Sequence, residues 1–289
     1  DGSRRELRVG DPWGQLFDCA WFRFSGSVPD AAGGEAVLDI DVNGELLVVD
    51  GSGRPLRGLT NQASTFNRNL GKPGKTLIPL RELGAGSGAF AVWADAGAND
   101  LFGELKGEGR IAVARTAILD PAVEALGYDV EVLADLARHL PDGDAWRAEL
   151  TAALDACARG YRRAEAGAWR ERLAPLLRRR GGDRPVAFSA IGHAHMDLAW
   201  LWPVRETRRK TARTLATVLA NQARHPGYVF GISQPQQLAW IRDDHPELFA
   251  RVREAVAAGA ISTFSNVSPN LASANRALRW KAQTSSVLA

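Results

Sequence analysis

Residues 185–203 read PVAFSAIGHAHMDLAWLWP, and this stretch decides the class of fold. Its first part, Pro185–Gly192, is a short and nearly continuous apolar run, which is typical of a parallel strand buried on both faces. Alternating strands and helices after such a strand predict the start of an α/β barrel or of a doubly wound sheet. The predicted elements that follow are a helix (Glu206–Arg224), a strand (Tyr228–Ile232) and two helices (Gln234–Asp244 and Pro246–Ala258).

A β-rich region lies upstream, from residue 13 to about residue 118. It contains short stretches of alternating bulky and polar residues, separated by Gly and Pro clusters, and this pattern predicts a β-sandwich. Asn43-Gly44 lies between the apolar runs Val37–Val42 and Leu46–Val49. An Asn-Gly pair suits a two-residue hairpin turn in which both residues have positive φ, so the two runs are predicted to pair as a hairpin.

A helical region connects these two parts. Apolar residues recur at helical spacing between residues 120 and 180, Asp144 can cap the middle helix, and Gly181-Gly182 ends the last one. We therefore predict a multidomain chain. Its parts are a β-sandwich accessory domain (1–118), a helical connector (119–182) and the first part of an α/β barrel or doubly wound sheet (183–289).

Composition excludes several classes of protein. The chain has 289 residues, of which 45% are apolar and 24% charged, and no apolar run approaches the roughly 18 residues that span a bilayer. Its net charge of +3 is spread along helices without a basic block interleaved with aromatics, so we expect neither a nucleic-acid nor a membrane partner. Cys19 and Cys157 are far apart, which fits a reducing compartment and, with no signal peptide visible, a cytoplasmic location. A homo-oligomer remains open.

Three side chains follow the first parallel strand at alternate positions: His193, His195 and Asp197. Residues two apart in an extended chain point the same way, so these side chains should project from one side, at the edge where barrel enzymes assemble their sites. Imidazole and carboxylate together suit a divalent metal, zinc first and manganese or cobalt as alternatives. A packed, hydrogen-bonded histidine would explain one such residue, but the set of three favours a metal site.

Two tryptophans, Trp200 and Trp202, come directly after these residues. A flat indole beside a polar centre suits the C–H face of a sugar. Filling of the core or of the barrel mouth explains the same residues equally well.

The segment His193–Pro203, followed by Arg205–Lys210, closely resembles the glycoside hydrolase family 38 α-mannosidases, in their cytosolic/vacuolar and bacterial branch. Ser233–Gln237 and His245–Phe249 are similar to the next strand and helix of that family. The resemblance is strong over 183–254 and looser over 13–182.

This resemblance implies a (β/α)7 barrel that holds one zinc ion and hydrolyses α-mannosides or oligomannosides with retention. The zinc ligands of the motif fall on His195 and Asp197, which leaves His193 as a supporting residue. Trp200 falls on the position whose indole packs against the bound mannose. A retaining site needs two carboxyl groups, because one of them attacks the anomeric carbon and the other protonates the leaving oxygen.

The chain departs from the family pattern after its second barrel helix. The position of the family's nucleophilic Asp holds Ser268, and no Asp or Glu occurs from Ala255 to Ala289, although these acids make up 33 of the 289 residues. A frameshift, a truncation or a decayed copy would each produce such a tail. The general acid and a further zinc-binding His are expected beyond Ala289, so we predict that this polypeptide alone is not an active glycosidase.

Two other functions remain open. A metal-dependent amidohydrolase would also place a His-x-His pair at the end of its first barrel strand, with His193 and His195 as ligands. A carbohydrate-binding remnant without turnover would fit the β-sandwich and Ser268.

Overall fold

The computed structural model describes residues 4–30, 33–62, 74–84, 88–179 and 190–263. Within these ranges the N-terminal region forms nine strands, which confirms its predicted β-rich character. The strands are β1 (Pro12–Gly14), β2 (Cys19–Ser27), β3 (Glu35–Asp41), β4 (Glu45–Val49), β5 (Pro55–Thr60), β6 (Leu77–Pro79), β7 (Ala89–Gly97), β8 (Gly109–Arg110) and β9 (Val113–Leu119). They form a four-stranded sheet in the order β2-β7-β4-β5, a three-stranded sheet β6-β3-β9 and a small pair β1-β8.

The predicted hairpin at Asn43-Gly44 is wrong. β3 pairs with β6 and β9 whereas β4 pairs with β5 and β7, so the chain crosses from one sheet to the other at this turn. Asn43 has the expected positive φ of 56°, and its side-chain amide donates to the Glu108 carbonyl at 2.7 Å. Gly44 is needed for space, because a Cβ there would lie 2.3 Å from the Gly97 carbonyl oxygen. The turn is therefore fixed by the later chain and not by a hairpin partner.

The helical region contains α1 (Pro121–His139), α2 (Ala145–Gly160) and α3 (Ala166–Arg178), which confirms the three predicted helices. Asp120 and Asp144 cap α1 and α2 with their side chains. The buried residues of the three helices form one core cluster: Leu126, Leu133, Ala137, Leu150, Cys157, Ala166, Trp169 and Leu173.

We expect Asp144→Ala to lower the free energy of unfolding of this helical unit by about 1 kcal/mol. Asp144 Oδ1 accepts hydrogen bonds from the backbone amides of Trp146 at 2.7 Å and Arg147 at 3.3 Å, and alanine leaves both without a partner. Urea unfolding followed by circular dichroism measures the change. Asp142→Ala is the matched control, since Asp142 is exposed two residues before the cap; an equal loss in both variants would contradict the capping role.

The C-terminal part of the described chain is a parallel sheet with helices. Its strands are β10 (Gly192–His193), β11 (Phe230–Ile232) and β12 (Ile261–Thr263), and its helices are α4 (Val204–Arg224), α5 (Pro235–Asp244) and α6 (Pro246–Ala257). The strands pair in parallel in the order β10-β11-β12. The predicted helices and second strand are confirmed. Most of the predicted first strand, Pro185–Gly192, lies outside the described residues.

The outer face of the four-stranded sheet is covered by α4. Leu46 and Val48 of β4 are buried on one face, and Leu47 and Val49 are buried on the other. The second pair joins a core cluster with residues of the C-terminal part: Ala212, Leu215, Ala216, Val218, Phe230, Ile232, Leu238, Ile241, Leu248, Phe249, Val252 and Ile261. β4 is therefore buried on both faces, and the helix that covers one of them comes from a distant part of the chain.

This packing joins the strand region and the parallel sheet in one compact unit, which comprises the described residues within 1–28, 37–117 and 189–289. The described residues within 29–36 and 118–188 form a second unit. The division into three consecutive domains stays a prediction. Across the described ranges, no helix combines the length and apolar character required to cross a membrane.

Candidate metal and sugar site

The His193–Pro203 segment leaves the parallel sheet at the C-terminal end of β10. His193 is the last residue of that strand, and its Nδ1–H donates to the backbone carbonyl of Gly231 on β11 at 2.9 Å. The neighbouring strand therefore fixes the orientation of the imidazole. His193 therefore has the environment of a hydrogen-bonded histidine at a strand end, which is the alternative to a metal ligand that the sequence allows for one of the three residues.

His195 and Asp197 lie close together. His195 Nε2 is 3.5 Å from Asp197 Oδ1, and the side chains are 76% and 38% exposed. Two ligand atoms that each lie about 2.0–2.2 Å from a tetrahedral ion are about 3.3–3.5 Å apart. The observed separation therefore fits two ligands of one zinc ion, and the exposure of both side chains leaves the ion accessible.

His193 stands apart from this pair. Its ring centroid lies 6.2 Å from that of His195, with the two ring planes at 70°. Over the described ranges no group of three or more His, Cys, Asp or Glu side chains is arranged to hold a metal. The structure therefore brings two of the three candidate ligands together, and any further ligand must come from elsewhere.

The two tryptophans of the segment have different environments. The Trp200 side chain is 65% exposed, whereas Trp202 is only 6% exposed. Trp200 lines an open depression of about 590 Å³ together with His195, Asp197, Leu198 and Ala199. Trp200 is thus available to a ligand beside the His195–Asp197 pair, and Trp202 is part of the packing.

Ala199 has φ of 76°, in the left-handed region that non-glycine residues rarely adopt. Such strain persists only where the surroundings hold it, and it is common at functional sites. The turn at Ala199 brings the chain from Asp197 round to Trp200. No sequence pattern predicts this conformation, because alanine is neutral at almost any position.

Three residues that support the segment were not identified from the sequence as site residues. Gln237, which is buried on α5, donates from Nε2 to the Met196 carbonyl at 3.1 Å. Lys210 on α4 places Nζ 4.8 Å from the centre of the Trp202 ring, and the same atom lies 2.6 Å from Glu45 Oε2 on β4. Gln237 and Lys210 belong to the segments that carry the family resemblance, whereas no sequence signal marks Glu45.

Ser268 and the acid-free segment lie mostly outside the described residues. The structural description ends at Thr263, so the position aligned with the family's nucleophile has no structural account. The departure at Ser268 therefore rests on the sequence alone.

Two family models match the chain. Residues 185–267 match the glycosyl hydrolases family 38 N-terminal domain, and residues 2–121 match the jelly roll domain of alpha-mannosidase. The two matches occur in the order expected from the sequence, a sheet-rich domain first and the motif-bearing domain second.

Curated relatives are similar along most of the chain. Alpha-mannosidase 2C1 of Homo sapiens is 30% identical over an alignment of 270 positions that covers 88% of this chain and 25% of that protein. Alpha-mannosidase of Saccharomyces cerevisiae is 27% identical over an alignment of 287 positions that covers 86% of this chain and 24% of that protein. Alpha-mannosidase G of Dictyostelium discoideum is 39% identical over 70 residues, 24% of this chain and 6% of that protein. The chain thus spans about a quarter of the length of the first two, and the resemblance drawn from the motif is confirmed.

Proposed function

We propose that this chain, which belongs to the glycoside hydrolase family 38 α-mannosidases, carries the zinc-binding and sugar-binding part of a retaining α-mannosidase site. The observation that supports this most directly is the 3.5 Å separation of His195 Nε2 and Asp197 Oδ1 beside the exposed indole of Trp200. The pair follows a parallel strand at its C-terminal end, where barrel enzymes assemble their sites. The (β/α)7 barrel is part of the proposal, and the three parallel strands with intervening helices support it.

His195 and Asp197 would hold the zinc ion, and their imidazole and carboxylate are ligand types that zinc prefers. When bound there, zinc supplies a positive charge that polarises and orients the hydroxyls of the sugar. The exposed face of Trp200 packs against the C–H face of the mannose ring and removes water from that side. Substrates in this proposal are α-mannosides or oligomannosides.

The 289-residue polypeptide itself is proposed to lack turnover. Retention requires a carboxylate that reaches the anomeric carbon and a carboxylic acid that protonates the leaving oxygen, and the two carboxyl groups lie about 5–5.5 Å apart. Position 268 holds serine, and no carboxylate side chain occurs from Ala255 to Ala289. We expect no release of aryl alcohol from an aryl α-mannoside. Chelator-sensitive hydrolysis by the purified polypeptide would show that the nucleophile lies elsewhere.

Zinc binding tests the proposed ligands. We expect His195→Ala and Asp197→Ala each to lower the zinc affinity at least about tenfold, because each variant removes one donor atom. Competition with a chromophoric chelator measures the affinity. His139→Ala is the matched control, since His139 is an exposed histidine 3.9 Å from Asp135 on α1; this variant should bind zinc like the wild type.

The same measurement of zinc affinity distinguishes the family 38 site from that of a metal-dependent amidohydrolase. That function uses His193 and His195, so His193→Ala would abolish binding and Asp197→Ala would leave it intact. The family 38 site predicts that Asp197→Ala has the larger effect. The hydrogen bond from His193 to Gly231 favours a supporting role for His193.

A carbohydrate-binding protein without turnover is the second candidate, and Ser268 favours it. Calorimetric titration with methyl α-D-mannoside tests this function together with the site. We expect Trp200→Ala to remove the heat of binding. Binding that survives this substitution would assign the sugar to another surface, such as the β-sandwich.

The cytoplasmic location and the homo-oligomer are proposals as well. Cys19 is exposed and Cys157 is buried, and both are free cysteines, which agrees with a reducing compartment.

A further inference from the structure

We propose that Glu45 and Lys210 are positioning residues for the proposed zinc and sugar site. Through these two residues, the four-stranded sheet holds the Trp200–Trp202 segment in place. The effect on sugar binding rests on the proposed function. The positioning of the segment can be tested without that function. It assigns to the four-stranded sheet a role in positioning the site.

A buried ionic cluster lies where α4 crosses the outer face of the four-stranded sheet. Glu45 is 3% exposed, Lys210 7% and Arg213 5%. Glu45 Oε2 accepts from Lys210 Nζ at 2.6 Å, from Arg213 Nη1 at 3.1 Å and from Asn99 Nδ2 at 2.9 Å. Glu206, which is 1% exposed, forms a second salt bridge to Arg213. Glu206 also binds Arg209 at 2.9 Å, and Arg209 binds Asp95 on β7. Three carboxylates and three cations therefore balance, and the position of each cation depends on its acidic partners.

Lys210 connects this cluster to the site. Its Nζ lies between the Glu45 carboxylate and the face of the Trp202 ring, 4.8 Å from the ring centre. A desolvated cation–π contact of this kind is worth more than an exposed one. Trp202 follows Trp200 by two residues and Asp197 by five, so a shift of its ring moves the segment that lines the depression. Glu45 acts on the site only through Lys210.

A second contact from the sheet region supports the same segment. Gly103 has φ of 78°, and a Cβ there would lie 2.3 Å from the Leu201 carbonyl oxygen. The backbone of the segment therefore rests directly against the sheet region at a position where only glycine fits. Gly103 thus supports the backbone at Leu201, and Glu45 supports the ring of Trp202 through Lys210.

Arg209 supplies a matched control in the same interface. Its guanidinium binds Asp95 on β7 and the Ala96 carbonyl, so it links α4 to the same sheet. Unlike Lys210, it is not stacked on a ring of the site segment. Arg209 also touches the buried cluster through Glu206 at 2.9 Å. Asp95→Asn thus weakens the α4–sheet interface beside the cluster but changes neither Lys210 nor Trp202.

Chymotryptic cleavage of the 289-residue chain under native conditions, with the cut sites mapped by mass spectrometry, tests the positioning role. Lys210→Met removes the charge and keeps the length, and we expect cleavage within residues 196–202 to accelerate about two- to thirtyfold, the range that a cation–π contact spans. Lys210→Arg, which retains a cation over the ring, should restore slow cleavage. Asp95→Asn should leave this segment at the wild-type rate.

Gly103→Ala provides a second route to the same result if Lys210→Met fails to fold. It should accelerate cleavage in the same residues and leave cleavage in the helices of residues 121–178 unchanged. Wild-type cleavage of the segment in both Lys210→Met and Gly103→Ala would overturn the proposal. So would equal acceleration in Asp95→Asn, because the effect would then belong to the interface as a whole.

Sugar binding separates this inference from the proposed function. We expect Lys210→Met to raise the dissociation constant for methyl α-D-mannoside by the same factor as the cleavage rate, and Lys210→Arg to restore it. If the wild type binds neither zinc nor mannoside, the proposed function fails, and the cleavage experiment still decides the positioning role. If mannoside binding is present and unaffected by a Lys210→Met variant whose segment is cleaved faster, the inferred effect on the site is wrong.

Discussion

Glu45→Ala is expected to lower the free energy of unfolding of the unit that contains the sheet and α4 by about 3–5 kcal/mol. Removing this carboxylate leaves Lys210 and Arg213 buried, with Arg213 retaining only its salt bridge to Glu206. An uncompensated buried cation costs much more than an exposed pair contributes, because the protein interior screens charge poorly. Urea unfolding followed by tryptophan fluorescence measures the loss.

Glu108→Ala is the control for this experiment. Glu108 forms an ion pair with Arg110 in the same unit, but the two side chains are 34% and 47% exposed. Exposed pairs contribute about 0–1 kcal/mol, so this variant should unfold nearly like the wild type. Losses of similar size in the two variants would show that the buried cluster does not stabilise the interface.

The same cluster makes stability depend on pH. Burial raises the pKa of Glu45, but Lys210, Arg213 and the hydrogen bonds from Lys210 and Asn99 outweigh burial and leave the pKa below its ordinary value. A carboxyl group whose pKa is lower in the folded state than in the unfolded state contributes its full stability above the unfolded pKa, which is about 4.3 for glutamate. That contribution is lost as the pH falls from this value through the lower pKa of the folded state. Glu45→Gln should therefore flatten the decline in unfolding free energy between about pH 4.5 and pH 3.

Gly58→Val is expected to have the second large effect, a loss of about 3 kcal/mol of unfolding free energy. Gly58 lies on β5 directly under α4, and a Cβ there would lie 2.7 Å from the Arg213 carbonyl oxygen and 2.9 Å from Thr217 Oγ1. The Gly58 amide also donates to Thr217 Oγ1 at 3.0 Å. A side chain at this position must push the helix off the sheet, because the nearest atom is backbone and cannot rotate away.

Gly51→Ala is the matched control for this position. Gly51 lies between β4 and β5, and nothing lies within 4 Å of the place where its Cβ would be. A substitution into open space changes stability by about 0.5 kcal/mol or less. If chemical unfolding shows Gly58→Val to be as stable as Gly51→Ala, α4 is not tightly seated on the sheet.

Local patterns in the sequence predict the helices and the second parallel strand correctly. Asp144 identifies the start of α2 because an N-cap depends on residues two and three positions away. α4, Val204–Arg224, follows from apolar spacing within one segment, and the predicted start at Glu206 is two residues late. His195 and Asp197 are close because they are two apart in an extended chain, which is again a local property.

Long-range pairing could not be predicted. Asn43-Gly44 has the composition of a hairpin turn, yet the partners of β3 and β4 lie elsewhere in the chain, so the turn residues do not reveal which sheet each strand joins. Glu45 at the start of a strand looks like a solvent-facing residue, and its burial depends on Lys210, which is 165 positions away. Trp200 and Trp202 are the same residue type two positions apart, and only the tertiary packing leaves the first exposed and the second buried.

The double enclosure of β4 has a consequence for synthesis of the protein. Val204, the first residue of α4, follows Val49 by 155 residues, and at about 5–20 residues per second the ribosome delivers the helix roughly 8–30 s after the strand. During that interval α4 cannot cover Leu47 and Val49, and the carboxylate of Glu45 at the start of the same strand has neither Lys210 nor Arg213 as a partner. Burial of this face of β4 and pairing of its carboxylate therefore both wait for the synthesis of one helix.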